Sequence, residues 1–430
     1  MNLFSQKGFY FSGTNKDRQQ IKFKLINNLI IIPLEINGKK LSFILDTGVN
    51  KTILFNLSEN DSIGLLNTTK VSLRGLGKGD AVKALISKKN TFKIKNLISR
   101  NESIYVIFKD YFDLSSKMGT TIHGVIGYNI FKDLIVKVNY KTKKIDFYNP
   151  KTYTYKKCRK CETIPFSFFR KKPFIHAKVS LDSLGKNYTD VKLLVDSGGS
   201  DAMWLFENSK KVIKTPKLFF NDILGEGLSG TIYGNRSRVT KFKLGRFVIE
   251  KPTVSFLDTA STHNARTHKE RNGSIGGGIL KRFKVWIDYP NKKFTFKKNG
   301  SFKSGFNYNM SGIDVVYNGK ELVKEKSTSN IKDSFNQEVN PNHSISFVSD
   351  YSFVFKPSYK IKNVVKGSPA EIAGLLKDDV IFKINGKSAH ELTIGELIQK
   401  FQEKDNKRIR LTIKRDNTKM KFEFRLKKSI

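Results

Sequence analysis

The chain has 430 residues, of which 38% are hydrophobic and 12% aromatic, so it can bury several cores and is not a disordered polypeptide. Its formal net charge is +41, because 79 Lys and Arg residues outnumber 38 Asp and Glu residues. The lysines are spread along the whole chain, without a compact arginine-rich block or a recognised nucleic-acid motif. We therefore expect no nucleic-acid partner, while a surface that binds other polyanions stays open as an alternative.

The apolar runs of the chain are short. None approaches the roughly 18 apolar residues that a membrane helix needs, so no transmembrane segment is expected. The N-terminal segment, MNLFSQKGFYFSGTNKDRQQ, lacks the apolar run of about 7–15 residues that a signal peptide contains. By these signals the chain is either cytoplasmic or an exported protein whose export signal is missing here.

Two apolar-rich runs flank Asn37-Gly38, which is a strong signal for a β-hairpin. The second run ends in FILDTG (43–48), and a closely similar segment, LLVDSG, occupies 193–198. In both segments three apolar residues precede an aspartate, a small hydroxyl residue and a glycine. An acid at the end of an apolar run is costly to bury unless it is hydrogen-bonded or used in chemistry. The pair of segments raises the hypothesis that Asp46 and Asp196 meet.

The two segments belong to a longer internal repeat with an offset of 149 or 150 residues. The glycine-rich segments RGLGKGDAV and LGEGLSGTIYG follow the two aspartates at matching distances and are predicted to be hairpin tips. The repeat therefore predicts two copies of one lobe. The matching pairs are Gly75-Leu76-Gly77 with Gly225-Glu226-Gly227, Phe92-Lys93-Ile94 with Phe242-Lys243-Leu244, GVIG (124–127) with GSIGG (273–277), and Val138-Asn139-Tyr140 with Ile287-Asp288-Tyr289.

Each copy has the pattern of a β lobe. Alternating segments such as VKVNYKTKKIDFY favour strands, and helical patterns are limited to one or two turns at 130–133 and 278–283. We predict a mainly β fold with two small barrel-like lobes, at 20–150 and 151–300.

The chain has two cysteines, Cys158 and Cys161, near the start of the second lobe. A single C-x-x-C motif supplies half of a four-ligand zinc site, and the chain has no second cysteine pair. A local disulfide in an oxidising compartment, or a pair of free thiols, is therefore favoured over a metal or redox site.

The repeat stops near residue 300, and the tail has a different character. Residues 326–344 (KSTSNIKDSFNQEVNPNHS) are polar and are predicted to belong to a long polar loop at about 316–358. Residues 359–386 then combine a strand, a Gly-Ser-Pro-Ala helix start and a second strand that ends in Asn-Gly. LTIGELIQKFQ should form a further helix, and the last residues a closing hairpin. We therefore predict a separate α+β domain at 305–430.

The two lobes resemble the retropepsin-like branch of the aspartic protease superfamily over roughly residues 20–300. That family carries Asp-Thr/Ser-Gly at the end of a strand, then a flap hairpin, then a hydrophobic-hydrophobic-Gly element. Here Asp46-Thr47-Gly48 and Asp196-Ser197-Gly198 match the first element, and Val125-Ile126-Gly127 matches the third. The flap and substrate-contacting residues that the resemblance implies are Gly75, Leu76, Gly77, Gly225 and Gly227.

The resemblance implies an aspartic endopeptidase that needs no metal or organic cofactor. Asp46 and Asp196 would form the catalytic pair, because two carboxyl groups that share one proton can both activate water and polarise a peptide carbonyl. The flaps would close over an extended segment of a peptide or protein substrate. The supporting residues of the pair would be Thr47 and Ser197, which bond across it, and Gly48 and Gly198, which let backbone N–H groups approach the carboxylates.

The tail resembles a bacterial PDZ domain, a module that binds the C-terminus of a peptide as an added strand. The peptide carboxylate is held by a loop of backbone N–H groups. Ser311, Gly312 and Ile313 stand in place of the usual Gly-Leu-Gly-Phe loop. Asp378 stands where the family usually has glycine, and Asp tolerates a left-handed backbone better than most residues. The resemblance implies a C-terminal peptide ligand.

Proteins that resemble this arrangement are typical of bacterial cell envelopes, so a location in the periplasm or envelope is expected. The alternative function, from a different class, is a catalytically inactive peptide-binding scaffold on the same fold, which would cut no substrate. A polyanion-binding surface protein is a third alternative and would show steep salt dependence of binding. The sequence indicates neither the substrate, nor the pH optimum, nor the oligomeric state.

Overall fold

The computed structural model describes residues 8–13, 17–57, 63–73, 80–108, 113–227, 230–327 and 350–430. The chain forms two compact units, one of Met1–Tyr308 with Lys428–Ile430, the other of Asn309–Lys427. Strands provide most of the regular structure in both units, so the predicted mainly β fold is confirmed. None of the helices in the described ranges is long and apolar enough to cross a membrane.

The first half of the larger unit is built from strands that are separated by tight turns. At Asn37-Gly38 both residues have positive φ (48° and 89°), as a type I′ turn requires, and the predicted hairpin forms there. The strands are β1 (Tyr10–Phe11), β2 (Arg18–Lys22), β3 (Lys24–Ile26), β4 (Leu29–Ile36), β5 (Lys39–Leu45), β6 (Thr52–Leu54), β7 (Thr69–Leu73), β8 (Val82–Ile94), β9 (Leu97–Val106), β10 (Gly124–Ile126), β11 (Ile135–Asn139) and β12 (Lys144–Tyr148); the helices are α1 (Leu114–Met118) and α2 (Tyr128–Phe131).

The second half repeats this plan after a short connection in which Cys158 and Cys161 form a disulfide. Its strands are β13 (Cys161–Pro165), β14 (Ser167–Phe169), β15 (Lys172–Ser180), β16 (Thr189–Val195), β17 (Met203–Phe206), β18 (Phe220–Gly227), β19 (Gly230–Arg238), β20 (Lys241–Leu244), β21 (Phe247–Glu250), β22 (Thr253–Leu257), β23 (Arg271–Ile275), β24 (Phe283–Asp288) and β25 (Lys293–Lys298). Its helices are α3 (Thr259–Thr262), a 3-10 helix (His263–Thr267) and α4 (Gly277–Leu280). Helices α2 and α4 overlap the short helices predicted at 130–133 and 278–283.

Three sheets organise the larger unit. The first lobe is the sheet with strand order β1-β9-β6-β10-β5-β4-β8-β7, with β3 paired to β4. The second lobe is the sheet with order β18-β19-β22-β17-β23-β16-β15-β20-β21, with β14 paired to β15. A middle sheet, β13-β25-β24-β11-β12-β2, takes strands from both halves of the chain and joins the lobes.

The two lobes share one topology around their central strands. In the first lobe β5 runs parallel to β10, which pairs antiparallel with β6. In the second lobe β16 runs parallel to β23, which pairs antiparallel with β17. Each aspartate follows the central strand, β5 or β16, directly. One continuous apolar cluster, which includes Phe43, Val136, Leu193 and Val285, packs against both central strands.

The smaller unit is an α+β fold, as predicted. Its sheet has the order β26-β27-β28-β30-β31, with β29 paired to β28. Both helices begin with the expected caps, because the Ser368 hydroxyl accepts from Glu371 N and Thr393 forms a capping box with Glu396. The strands are β26 (Ile313–Ser327), β27 (Asp350–Val364), β28 (Val380–Ile384), β29 (Lys387–Ser388), β30 (Arg408–Arg415) and β31 (Thr418–Arg425); the helices are α5 (Pro369–Ile372), a 3-10 helix (Ala389–Glu391) and α6 (Ile394–Lys400).

The prediction of a long polar loop at 316–358 was wrong for the part of that segment that the structure describes. Strands β26 and β27 extend into it from both sides and pair continuously from Tyr317 with Tyr359 to Ser327 with Asp350, apart from one irregularity. The polar segment at 326–344 was extended too far, because the flanking strands carry Leu322, Tyr351, Phe353 and Phe355, and the last three alternate as the residues of a strand do. Residues 328–349 lie outside the described ranges.

Candidate active site

Each aspartate loop is anchored to its own lobe by the same backbone hydrogen bond. Asp46 N donates to Ile126 O, and Asp196 N donates to Ile275 O, both at 2.9 Å. The acceptors are the last residues of β10 and β23, the strands that run parallel to the aspartate-bearing strands. Because the two anchors are equivalent, the loops present their carboxyl groups in equivalent positions.

Four buried hydrogen bonds lock the two loops together. Thr47 N donates to Ser197 Oγ, and Ser197 N donates to Thr47 Oγ1, each at 3.0 Å. The same hydroxyls then donate onward across the lobe boundary, from Thr47 to Val195 O (2.6 Å) and from Ser197 to Leu45 O (2.8 Å). The structure therefore brings together the residues that the sequence singled out in both loops.

The glycines of the loops are required by close approach. Gly48 N donates to Asp46 Oδ1 at 2.6 Å, and Gly198 N donates to Asp196 Oδ1 at 3.1 Å. A Cβ on Gly48 would lie 2.8 Å from Asp196 Oδ1, and a Cβ on Gly198 would lie 2.2 Å from Asp46 Oδ2. Each glycine thus packs against the carboxyl group of the other lobe, and a side chain at either position would push the two acids apart.

The two carboxyl groups form one electrostatic unit. Gly48 approaches the Asp196 carboxyl group and Gly198 the Asp46 carboxyl group, which places the two acids side by side, and like charges this close favour the retention of one proton. Burial, and then the neighbouring Asp196 carboxylate, raise the pKa of Asp46 well above its ordinary value of 3.8. The Gly48 N–H and the Lys172 ammonium lower the pKa of Asp46, but to a smaller extent. A shared proton on a pair of buried acids is the arrangement that allows one group to act as a base while the other acts as an acid.

Two family models match the chain. One, described as aspartyl protease, matches residues 32–130, which hold Asp46 and the strand that anchors it; the other, described as PDZ domain, matches residues 360–415.

The chain carries an aspartyl protease domain and a C-terminal PDZ domain.

Individual relatives are similar over short or divergent stretches. Probable CtpA-like serine proteases of Staphylococcus aureus strains COL and N315 are 40% identical over 55 residues, which is 13% of this chain and 11% of theirs. The match therefore spans about a tenth of the length of these relatives. Among solved structures, an aspartic proteinase from Irpex lacteus aligns with 67% of this chain and 99% of its own, with 12% identity and a TM-score of 0.45.

The lobes of the protease domain also exchange contacts outside the aspartate loops. Asn28 Nδ2, in the β3–β4 turn of the first lobe, donates to Ser200 O at 2.8 Å. Asn50 Nδ2, in the first lobe, donates to Arg170 O in the β14–β15 turn of the second lobe at 3.1 Å. Ser200 follows Asn50 by the repeat distance, so the same kind of turn meets the same loop position in both directions, with the side-chain donor on the turn in one contact and on the loop in the other. They hold the lobes in register around the carboxyl pair.

Sequence reasoning missed the residues that support the loops from the lobe boundary. The Tyr289 hydroxyl donates to Thr47 O at 3.2 Å and lies among Tyr128, Phe131, Phe166 and Phe168. A tyrosine at the end of a strand carries no local signal of such a role, because its partner lies 242 residues away.

The hydrophobic-hydrophobic-Gly element of each lobe allows the aspartate loop to pack closely against it. A Cβ on Gly127 would lie 2.0 Å from Asp46 O, and a Cβ on Gly276 would lie 2.4 Å from Asp201 O. Only glycine leaves room for the aspartate-bearing loop to pass this close to the end of β10 or β23. The Val125-Ile126-Gly127 match of the sequence analysis therefore marks a packing requirement.

The two predicted flap segments differ in what can be described. Gly75, Leu76 and Gly77 lie outside the described residues, although β7 and β8 lead into that segment as an antiparallel pair. In the second lobe β18 and β19 form a hairpin that contains Gly225 and Gly227, with a bulge before Gly225 (φ 152°). Tyr233 is exposed on this hairpin, directly across from Ile223.

In the PDZ domain the three predicted loop residues directly precede or begin β26. Ser311 is buried. Its Oγ donates to Asn309 Oδ1 (2.6 Å) and accepts from Ile313 N (3.1 Å). Gly312 has φ 82°, and a Cβ there would lie 2.2 Å from Ser368 Cβ. The loop is therefore held tightly against the start of α5. Asp378 has φ 69°, a left-handed backbone that Asp tolerates better than most residues.

The raised pKa of Asp46 predicts a pH-dependent stability difference. The folded protein binds more protons than the unfolded chain between pH 3.8 and the raised pKa, so the stabilising contribution of Asp46 is present in acid and is lost as the pH rises through that range. An Asp46→Asn variant does not show this decrease in stability, because an amide does not titrate in this range. Relative to the parent, it should become more stable as the pH rises, by at most about 1.4 kcal/mol per pH unit.

Urea unfolding of both proteins at a series of pH values from acid to neutral measures this difference. Asp190→Asn is the matched control, because Asp190 is an exposed aspartate of the same strand that leads to Asp196. A constant difference between Asp46→Asn and the parent at all pH values would contradict the assignment of a raised pKa.

Proposed function

We propose that the chain is an aspartic endopeptidase in which Asp46 and Asp196 activate one water molecule between them. The observation that carries this proposal is the reciprocal Thr47–Ser197 bonding, which holds the carboxyl groups of Asp46 and Asp196 side by side between the lobes. Two ordinary turn acids would be turned towards solvent and away from each other. A protein gains no stability from burying two like charges, so the arrangement is explained by chemistry.

The reaction uses the shared proton. The ionised carboxylate accepts a proton from water as the water attacks the scissile carbonyl, while the protonated carboxyl group donates a hydrogen bond to the carbonyl oxygen. The carboxyl group that took the proton from water then gives it to the leaving amine, and the pair returns to its singly protonated state. The loop glycines contribute by donating their N–H groups to the carboxylate oxygens, which fixes the orientation of both acids before substrate arrives.

An extended peptide is the substrate that suits this site. The carboxyl pair lies between two β lobes, and a peptide in strand conformation can satisfy its backbone groups against hairpins on either side. The β18–β19 hairpin and the hairpin that β7 and β8 begin would close over it and exclude water. The substrate would therefore be an unfolded segment, a loop or a terminus of a protein.

The PDZ domain would bind the C-terminus of a peptide along β26. Among the described strands β26 pairs with β27 on one side, so its other edge can accept an added strand. Helix α6 contacts β26 and would form the second wall of the groove. The loop at Ser311, Gly312 and Ile313 lies directly before this edge. It would hold the peptide carboxylate by exchanging the present partners of the Ser311 and Ile313 N–H groups, Asn309 Oδ1 and Ser311 Oγ, for the carboxylate oxygens.

A location in the cell envelope is part of this proposal. The Cys158–Cys161 disulfide supports an oxidising compartment, because disulfides rarely persist in a reducing cytosol. An endopeptidase with a separate peptide-binding domain is suited to capturing the exposed termini of other envelope proteins.

The first prediction from this function concerns the carboxyl pair. Asp46→Asn and Asp196→Asn should each lower peptide cleavage at least about a hundredfold, because one acid alone cannot act as both acid and base. Activity of the parent should fall at alkaline pH as the pair loses its shared proton. Turnover of a mixed peptide library, followed by mass spectrometry across acidic to neutral pH, measures both effects.

Asp190→Asn again serves as the control and should cleave at the rate of the parent. If either active-site variant cuts at a rate comparable to the parent, the assignment of the pair is wrong. If the parent cuts nothing across this pH range, the inactive scaffold becomes the better account.

The second prediction concerns the PDZ loop. Gly312→Ala should weaken binding of C-terminal peptides at least about tenfold, because its Cβ would collide with Ser368 and displace the loop. Gly386→Ala is the matched control, since Gly386 has a similar φ of 87° in the β28–β29 turn of the same domain but open space around it. Fluorescence anisotropy with a peptide library, each member with a free or an amidated C-terminus, measures the effect. Equal affinity for free and amidated termini would contradict carboxylate recognition.

A further inference from the structure

The two lobes differ at the position directly across from each aspartate. In the first lobe Ile31 pairs with Ile44, and extending this register by two residues places Leu29 across from Asp46. In the second lobe Phe174 pairs with Leu194, and the same extension places Lys172 across from Asp196. Leu29 and Lys172 each begin a strand after a tight turn with two positive φ angles, so they occupy equivalent places.

A second pair of equivalent positions shows the same change. In the first lobe Ser42 N donates to His123 Nδ1, and in the second lobe Lys192 N donates to Asn272 Oδ1. The residues before these acceptors are Ile122 and Arg271. Ile122 is fully buried, and Arg271 is 7% exposed. The second lobe therefore places two cations where the first lobe has two aliphatic residues.

The aliphatic pair of the first lobe belongs to an apolar wall. Leu29 and Ile122 pack in one cluster with Leu73 and Val82, which belong to the hairpin strands β7 and β8. A peptide side chain that reaches this wall would be selected for being apolar, because a polar group would lose its hydration there.

The second lobe also has an apolar cluster, formed by Phe206, Leu224, Ile232, Leu257 and Ala265, but Lys172 and Arg271 bring charge to its border. The Arg271 guanidinium lies over the rings of Phe206 (4.9 Å) and Phe174 (5.8 Å), and its Nε donates to Gly273 O. Within the described ranges neither Arg271 nor Lys172 forms an ion pair with a carboxylate. Burial lowers the pKa of both groups, that of Arg271 to about 10, with nearby Asp196 acting against the shift. Each cation would therefore be stabilised by an anion that enters the site.

The negative charge of the catalytic pair is smaller than the positive charge of the two cations, so an anion can be accommodated beside them. Two carboxyl groups that share a proton carry one negative charge, and Lys172 and Arg271 together carry two positive charges. Arg170 adds a further positive charge near Lys172, while Glu270 is engaged by Lys192. The second lobe thus keeps an excess positive charge beside Asp196 when the enzyme is ready to react.

We propose that Lys172 and Arg271 form a cationic subsite that binds an acidic side chain of the substrate beside the scissile bond. The inference rests on the proposed peptidase site and adds a substrate class to it. Substrates would carry an apolar residue on the side of the first lobe and Glu or Asp on the side of the second. Lys172 and Arg271 are specificity-determining residues in this account, and the chemistry stays with Asp46 and Asp196.

Binding can be measured apart from cleavage, which keeps the two proposals separable. The probe is a set of fluorescein-labelled, C-terminally amidated heptapeptides of apolar residues and serine, each with one Glu or one Gln at a single position. Amidation removes the carboxylate that the PDZ loop would capture. Anisotropy is measured with the Asp46→Asn variant, which should bind these peptides without cutting them.

At one position next to the centre, the peptide with Glu should bind the protein at least about tenfold more tightly than the peptide with Gln at low salt. Lys172→Leu, which installs the residue of the first lobe, should remove this preference. Lys172→Glu should reverse it, so that a Lys peptide is favoured. Lys178→Leu, on an exposed lysine of the same strand, should leave it unchanged and serves as the matched control.

Several outcomes would overturn the inference. One is equal binding of the Glu and Gln peptides at every position. Another is a uniform preference for Glu at all positions, which the net charge alone would produce. The third is a preference for Glu that survives Lys172→Leu in a variant whose circular dichroism is unchanged. Lys172→Gln gives a second test if Lys172→Leu folds poorly. A position-specific preference for Glu in a parent that cuts nothing would support the subsite and contradict the peptidase.

Discussion

The arrangement of the Asp46–Asp196 pair depends on the reciprocal hydrogen bonds between Thr47 and Ser197. Two acids at the ends of buried strands repel each other and lose hydration when they meet, so they stay together only if their loops are held by something stronger. Here two hydroxyls and two backbone N–H groups satisfy one another across the lobe boundary, and each hydroxyl also donates to a backbone oxygen of the other loop. The raised pKa of Asp46 and the requirement for glycine at Gly48 and Gly198 follow from that locked geometry.

Duplication within one chain gives the two lobes freedom to differ. A symmetric dimer would have the same residue across from each aspartate, whereas here Leu29 stands on one side and Lys172 on the other. The difference does not disturb the shared topology, because both residues begin a strand after the same kind of turn. The lobes can therefore keep one catalytic arrangement and still present different surfaces to the two sides of a peptide. Asymmetric recognition of this kind is a physical reason to keep two lobes in one polypeptide.

The sequence was informative where signals are local and repeated. The aspartate loops could be predicted because an acid after an apolar run is unusual, and because the same run returned 150 residues later with matching glycines. Tyr289, Lys172 and Arg271 could not be predicted, because their roles depend on strand register and on partners that are far away in the chain. The β26–β27 ribbon was misread as a loop because the polar segment at 326–344 was extended over flanking residues that alternate apolar and polar side chains, such as Tyr351, Phe353 and Phe355.

The central claim is that Asp46 and Asp196 act as one pair on a water molecule. A crystal structure of the protein with a statine-type peptide, whose hydroxyl imitates the tetrahedral intermediate, tests this claim most directly. The account predicts that the hydroxyl lies within hydrogen-bond distance of both carboxyl groups, with the peptide extended between the two lobes. A peptide bound elsewhere, or a hydroxyl that contacts one carboxyl group while the other turns away from it, would contradict the account.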